Sequence, residues 1–190
     1  MKRNVLRVGG ILTLALLTWL IAGFSSAQQA CAHDPRFVCS PRAENDAVRI
    51  STPTKSWAFY GHLRDGQSDT YSASLDHAAR IPWSLLIDDR DAANPARPSA
   101  QLYDAAGKLV EELLFAPTEA FYEAFSREHY QTTKPHWITL RAGTYRIVVL
   151  MHGGHAPQRY TMALGEQELF GVADIPFVLG ALHRIRSLNY

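Results

Sequence analysis

The residues best able to do chemistry lie near the end of the chain, in "TYRIVVLMHGGHAPQRYTMALGE" from Thr144 to Glu166. Its centre, Met151-His152-Gly153-Gly154-His155, offers the thioether and imidazole ligands that copper or zinc takes, and a His-x-x-His pair can chelate from a turn. Such a site needs a further ligand, and by residue type His33, His62 and His136 are the candidates. The competing reading is structural: Gly153 and Gly154 supply the positive φ of a tight hairpin turn, with His152 and His155 solvated beside it. A second stretch, "DDRDAAN" from Asp88 to Asn94, sets Asp89, Asp91 and Asn94 at loop spacing as hard oxygen donors of the kind Ca2+ prefers. It lacks the Gly and distal Glu of an EF-hand loop, and an acidic loop at a strand end also has a plain solvated reading.

Nucleophilic and acid–base catalysis find little support. There is no Gly-x-Ser-x-Gly elbow, no His-Glu-x-x-His helix and no phosphate loop. Glu111-Glu112 and Asp88-Asp89 are adjacent pairs, which a strand would point to opposite faces. The expectation is a chain that is not an enzyme and has no obligatory cofactor, with Cu, Zn or Ca as the ions its side chains could take.

The elements that must position these residues are short strands. "AVRIST" (47–52), "SWAFYGHLR" (56–64), "DTYSASLD" (69–76), "RIPWSLLID" (80–88), "SAQLYD" (99–104), "KLVEELLF" (108–115), "HWITL" (136–140), "TYRIVVLM" (144–151) and "RYTMALG" (159–165) are separated by Gly, Pro, Asp and Asn turn signals. "RIPWSLLID" is nearly continuous in apolar residues, as a central buried strand would be. Without strand–helix–strand alternation, the pattern predicts an all-β fold, an antiparallel β-sandwich of jelly-roll or immunoglobulin-like type over 47–166. An irregular arm rich in Pro and Asp precedes it, within 28–46. "PTEAFYEAFSREHY" (117–130) interrupts the strands as a helical turn, with Thr118 as N-cap and Phe121 and Phe125 on one face, or as an aromatic loop. Its aromatics, with Trp57, Phe59, Tyr60, Tyr130 and Trp137, could fill the core or form a contact surface.

The last segment, 167–190, predicts a C-terminal amphipathic helix. Asp174 can cap it and Pro176 suits its first turn. Phe177, Val178, Leu182, Ile185 and Leu188 form an apolar stripe, with Arg184 and Arg186 late in the helix where the dipole favours cations. Such a face packs on a sheet edge or meets a membrane surface or membrane-protein partner through Phe177, Val178, Leu182, Arg184, Ile185 and Arg186.

The opening residues set the compartment. Lys2, Arg3 and Arg7 precede an uncharged run, Val8 to Phe24, and small residues at Ser25 to Ala27, the layout of a secretory signal peptide. The run is also long enough to serve as an uncleaved N-terminal membrane anchor helix with its basic end inside. Either form of 1–27 places the rest of the chain outside the cytoplasm, periplasmic and associated with the inner membrane. Removing those three cations takes the formal charge from +1 to −2, so nothing favours nucleic acid as a partner. Cys31 and Cys39 then read as a local disulfide in an oxidising compartment, with lipidation of Cys31 as the alternative.

Asp69-Thr70-Tyr71, then Gly143-Thr144-Tyr145-Arg146-Ile147-Val148-Val149, then Tyr160-Thr161-Met162-Ala163-Leu164-Gly165 occupy the places of a D-x-Y, a G-x-Y-x-I-x-V and a Y-x-L-x-V-G strand, with Met162 and Leu164 where the last has Leu and Val. Across 47–166 this resembles the pre-peptidase C-terminal-like β-sandwich modules of secreted prokaryotic proteins, with 117–135 and the C-terminal helix as additions. The resemblance implies a β-sandwich and non-catalytic companion work. The sequence therefore points to an exported accessory or structural subunit that binds a membrane protein or membrane complex. A periplasmic copper- or zinc-binding protein and a carbohydrate-binding module are the rivals.

Overall fold

The computed structural model describes residues 33–117, 119–123, 126–169 and 175–188, with side chains from Gly180 onward in the last segment. The chain divides into two units, Met1–Ala30 and Cys31–Tyr190, and every described residue belongs to the second. The leader, Cys31, Thr118, Phe125 and Asp174, and the side chains of Phe177 and Val178, lie outside the described residues. Cys39 is exposed, and no disulfide forms among the described residues.

Alternating side chains build two sheets. Sheet A has the order β1 (Asp34–Phe37), β3 (Trp57–Leu63), β12 (Gln158–Leu164), β5 (Ala79–Asp88), β9 (Glu128–Thr132), β8 (Glu119–Glu123), with β10 (His136–Leu140) also on β5. Sheet B has the order β2 (Val48–Ile50), β4 (Ser68–Leu75), β11 (Gly143–His152), β6 (Arg97–Asp104), β7 (Leu109–Leu114). One helix, α1 (Ile175–Ser187), follows. Among the described residues no helix is long and apolar enough to cross a membrane.

The core lies between the sheets. Every second residue of β5, namely Ile81, Trp83, Leu85 and Ile87, meets Tyr71, Ala100, Leu102, Ile147, Val149, Met151, Tyr160 and Met162 in one buried cluster. Burying each large side chain of this kind contributes about 1.5–3 kcal/mol. Phe59 of sheet A packs edge-on against Tyr71 of sheet B with ring centroids 5.1 Å apart, a favoured aromatic geometry.

The strand pattern expected from the sequence matches the nine predicted segments closely, and an all-β sandwich results. Three features differ. The sheets are mixed: β1 pairs with β3, and β2 with β4, in parallel. The chain changes sheet after each of its first five strands, so β2 lies between β1 and β3 in sequence but in the other sheet. A strand that returns after such a crossing can run parallel to its predecessor, which a tight hairpin forbids. Second, the arm contains a strand. Asp34, buried, binds Lys55 Nζ at 2.6 Å and Arg36 at 3.0 Å, and this pins β1 to the edge of sheet A. Third, the described residues of the 117–130 segment form no helix: 119–123 and 128–130 lie in the antiparallel pair of β8 and β9, with Phe121 opposite Tyr130.

Candidate functional site

The outer face of sheet A carries two further apolar clusters. In one, Ala58 and Tyr60 of β3 meet Ile185 of α1, with Phe37 alongside. In the other, Leu86 of β5 and Ala163 of β12 meet Tyr130 and Phe121 of the β8–β9 hairpin. The helix thus covers one part of the face, and the hairpin rises from another. Beside them lies a groove of about 300 Å3.

Local sequence explains the opening. β5 is a shared edge: β9 pairs with its distal half, through Leu86 to Asp88, and β10 with its proximal half, through Ala79 to Trp83. Pro135 lacks an N–H and falls between the two partners, where the ladder breaks. Thr133 spans the gap, its N–H donating to the Leu85 carbonyl at 3.0 Å and its Oγ1 accepting from Leu85 N–H at 3.1 Å. Ser84, Leu86 and Ala163 form the floor, with Thr132, Pro135, Trp137 and Phe121 around it and Glu119 and Glu166 also lining it. Trp137 is 39% exposed, and the Arg80 guanidinium lies 4.5 Å from its ring centroid, a cation–π contact. His33 and Ser56 complete the lining, with Ser56 Oγ 2.5 Å from His33 Nδ1. Burial lowers the His33 pKa, while Glu123 and Glu168 pull it up. The groove is apolar at its base, acidic at its edge and faced by an exposed indole, an arrangement suited to binding.

The residues singled out in the sequence take other positions. Met151 is fully buried in the core. His152, next along the strand, points to the opposite face, where its Nε2 lies 2.8 Å from Ser99 Oγ. His155 is exposed. Among the described residues no group of three His, Cys, Asp or Glu side chains is placed to hold a metal ion. The "MHGGH" stretch is also not a hairpin tip. β11 belongs to sheet B and β12 to sheet A, so Gly153 and Gly154, at φ 75° and 83°, arch between sheets. Gly153 N–H donates to Asp65 Oδ1 at 2.7 Å.

That arch packs on the other candidate loop. A Cβ on Gly154 would lie 2.9 Å from Asn94 Oδ1 and 3.0 Å from Ala96 Cβ. Asn94 Oδ1 accepts from Ala96 N–H at 3.1 Å, and Asp91 accepts two hydrogen bonds from Arg159, at 2.6 and 2.7 Å. Asp89 is exposed. The fold therefore brings the two loops together but directs Asp91 and Asn94 to protein donors rather than to one shared point.

Of the helix residues, Ala181 is buried, and Ile185 is buried against Ala58 and Tyr60 of sheet A. Arg184 lies over the Phe37 ring at 3.9 Å, and Arg186 Nε donates to the Ser126 carbonyl at 2.9 Å. Arg90 Nη1 in turn donates to the Arg186 carbonyl at 2.9 Å, satisfying an orphan acceptor of the last turn. Of the aromatic set, Trp57, Phe59, Tyr60 and Tyr130 are buried, while Tyr122 and Trp137 are exposed. The groove floor was missed. Its one signal was the nearly continuous apolar run of β5, interrupted by Ser84.

No family model matches the chain, and no curated protein matches it. Among solved structures it is similar to the pre-peptidase C-terminal domain of collagenase from Bacillus anthracis, at 14% identity and TM-score 0.41, over 67% of this chain and 99% of that one. It is also similar to PliG, a periplasmic lysozyme inhibitor of g-type lysozyme from Salmonella Typhimurium, at 13% identity and TM-score 0.39, over 63% and 96% of the two chains. A family 35 carbohydrate-binding module from an environmental isolate follows at 16% identity and TM-score 0.36, over 70% and 92%. The first of these shares its domain name with the modules that the sequence resembles.

Proposed function

We propose that the chain is a non-catalytic accessory subunit on the extracytoplasmic side of a membrane, binding a membrane-protein partner through the groove on the outer face of sheet A. One observation carries this reading: the face bears apolar clusters under its own helix and hairpin, and among the described residues a groove floored by Leu86 and Ala163 stays open beside the exposed ring of Trp137. Exposed aromatics next to a desolvated floor are the residues on which partners anchor. A photoreactive benzoylphenylalanine in place of Trp137 is expected to cross-link one membrane protein in native membranes, and the same group in place of Glu112, on sheet B, is not. Equal labelling from both positions, or none from Trp137, ends the reading.

A carbohydrate-binding role is favoured by one feature, an exposed indole in a groove that also holds the carboxylates of Glu119 and Glu166. Its test is binding of soluble oligosaccharides that is lost in Trp137→Ala.

A further inference from the structure

The groove and the helix beside it share one sheet face, and the helix displays what that face accepts. α1 presents Ile185 to Ala58 and Tyr60, and two of its arginines contact the protein, Arg184 over Phe37 and Arg186 on the Ser126 carbonyl. An apolar segment bearing cations is thus already seated on the neighbouring part of the face.

The groove also has an apolar floor, and among the described residues no segment is seated on it. Its floor is Leu86, Ala163 and Ser84, and two exposed carboxylates, Glu119 and Glu166, line it. Two more, Glu123 and Glu168, lie close enough to act on His33. The cations nearby are weakly committed to these carboxylates. Lys134 reaches Glu119 only at 3.9 Å with both side chains largely in solvent, a pair worth little, and Arg80 is stacked on Trp137. His33 is held toward its neutral form by burial.

We propose that the groove takes a short apolar segment of the partner protein flanked by basic side chains, the apolar residues on Leu86 and Ala163 between Phe121 and Trp137, and the cations at Glu119 and Glu166. This rests on the groove being the partner site, as proposed above. The acidic rim orients the segment and rejects acidic competitors, while the floor supplies the affinity. It makes the interaction salt-sensitive, because the rim is exposed.

Three labelled peptides test it by fluorescence anisotropy on the whole chain: Lys-Leu-Phe-Leu-Lys, Ser-Leu-Phe-Leu-Ser and Glu-Leu-Phe-Leu-Glu, each acetylated and amidated. The lysine peptide is expected to bind about tenfold tighter than the serine peptide, and the glutamate peptide weakest, since two exposed ion pairs together supply about that factor. E119Q combined with E166Q is expected to bring the lysine peptide down to the serine peptide's affinity and leave the serine peptide unchanged. Trp137→Ala is expected to weaken all three. Equal binding of the three peptides, still lost in Trp137→Ala, overturns the basic-segment inference and leaves the groove as the partner site. Binding of none, or binding indifferent to Trp137→Ala, overturns both. Oligosaccharide binding in their place assigns the groove to sugar and overturns this inference as well.

Discussion

The Tyr160 hydroxyl donates to Asp69 Oδ2 at 2.7 Å across the interior of the sandwich, joining β12 of sheet A to β4 of sheet B. The Tyr71 hydroxyl lies 2.7 Å from that of Tyr160, and Ser40 Oγ donates to the same carboxylate oxygen at 2.5 Å. Burial raises the pKa of both tyrosines well above the ordinary value, with the Asp69 charge adding to it, so both hydroxyls keep their protons as donors. Removing one oxygen from this chain leaves a buried carboxylate and a buried hydroxyl short of a partner. Tyr160→Phe is expected to cost about 1–3 kcal/mol. Thermal unfolding reads that as a fall of about 2–4 °C per kcal/mol for a domain of this size.

Gly165 and Gly107 share a φ of +77° but not their surroundings. A Cβ on Gly165 would lie 2.0 Å from the Lys55 carbonyl oxygen, whereas one on Gly107, in the β6–β7 turn, meets nothing within 4 Å. Gly107→Ala is expected to cost about 1–2 kcal/mol, the left-handed penalty alone. Gly165→Ala is expected to cost clearly more, because backbone must also shift, and Gly165 lines the groove. Urea midpoints of the two variants, measured side by side, check the order.

Arg90 ties the helix to the sheet. It binds Asp88, which is buried, through Nε at 2.7 Å and Nη2 at 2.5 Å, and its Nη1 holds the Arg186 carbonyl. Arg90→Ala takes the guanidinium from the Asp88 carboxylate, leaving it the N–H of residue 90, and uncaps the helix. The expected loss is about 1–3 kcal/mol in overall stability, with faster amide exchange in 180–188 than in β11. Unchanged exchange in the helix would show that Ile185, Arg184 and Arg186 hold it without Arg90.

His33 gives the groove a pH dependence. Its folded-state pKa is lowered from 6.5 by burial, so the unfolded chain binds the proton more readily. Stability from this group is therefore complete above about pH 6.5 and falls as the pH drops through 6.5 toward the folded value. His33→Asn is expected to keep an acceptor for Ser56 and to flatten this part of the profile. The difference between wild-type and variant unfolding free energies at pH 7.5 and 5.5 isolates it from titrating carboxylates.

Much of the fold was legible in single segments. Nine strands showed themselves because alternation and turn residues are local signals, and β5 announced its central place by a nearly continuous apolar run. Four-residue β1 was not legible, since Pro35 and Asp34 argue against a strand until Lys55 and Arg36 neutralise the carboxylate. The β8–β9 hairpin was misread for a related reason. "EAFYE" suits helix or strand, and only its pairing with 128–132 decides.

What the sequence determined by itself is the all-β class, the strand spacing, the positive-φ glycines and the amphipathic C-terminal helix, each set by a few adjacent residues. Tertiary structure alone decided which strands face one another. It made "MHGGH" an arch between sheets, buried Met151, turned Arg184 and Arg186 onto the protein, and opened the groove where β9 and β10 divide the edge of β5. The reason is physical: alternation tells which side chains share a face, but not which strand they will meet across the core, and the groove is made of residues from distant strands.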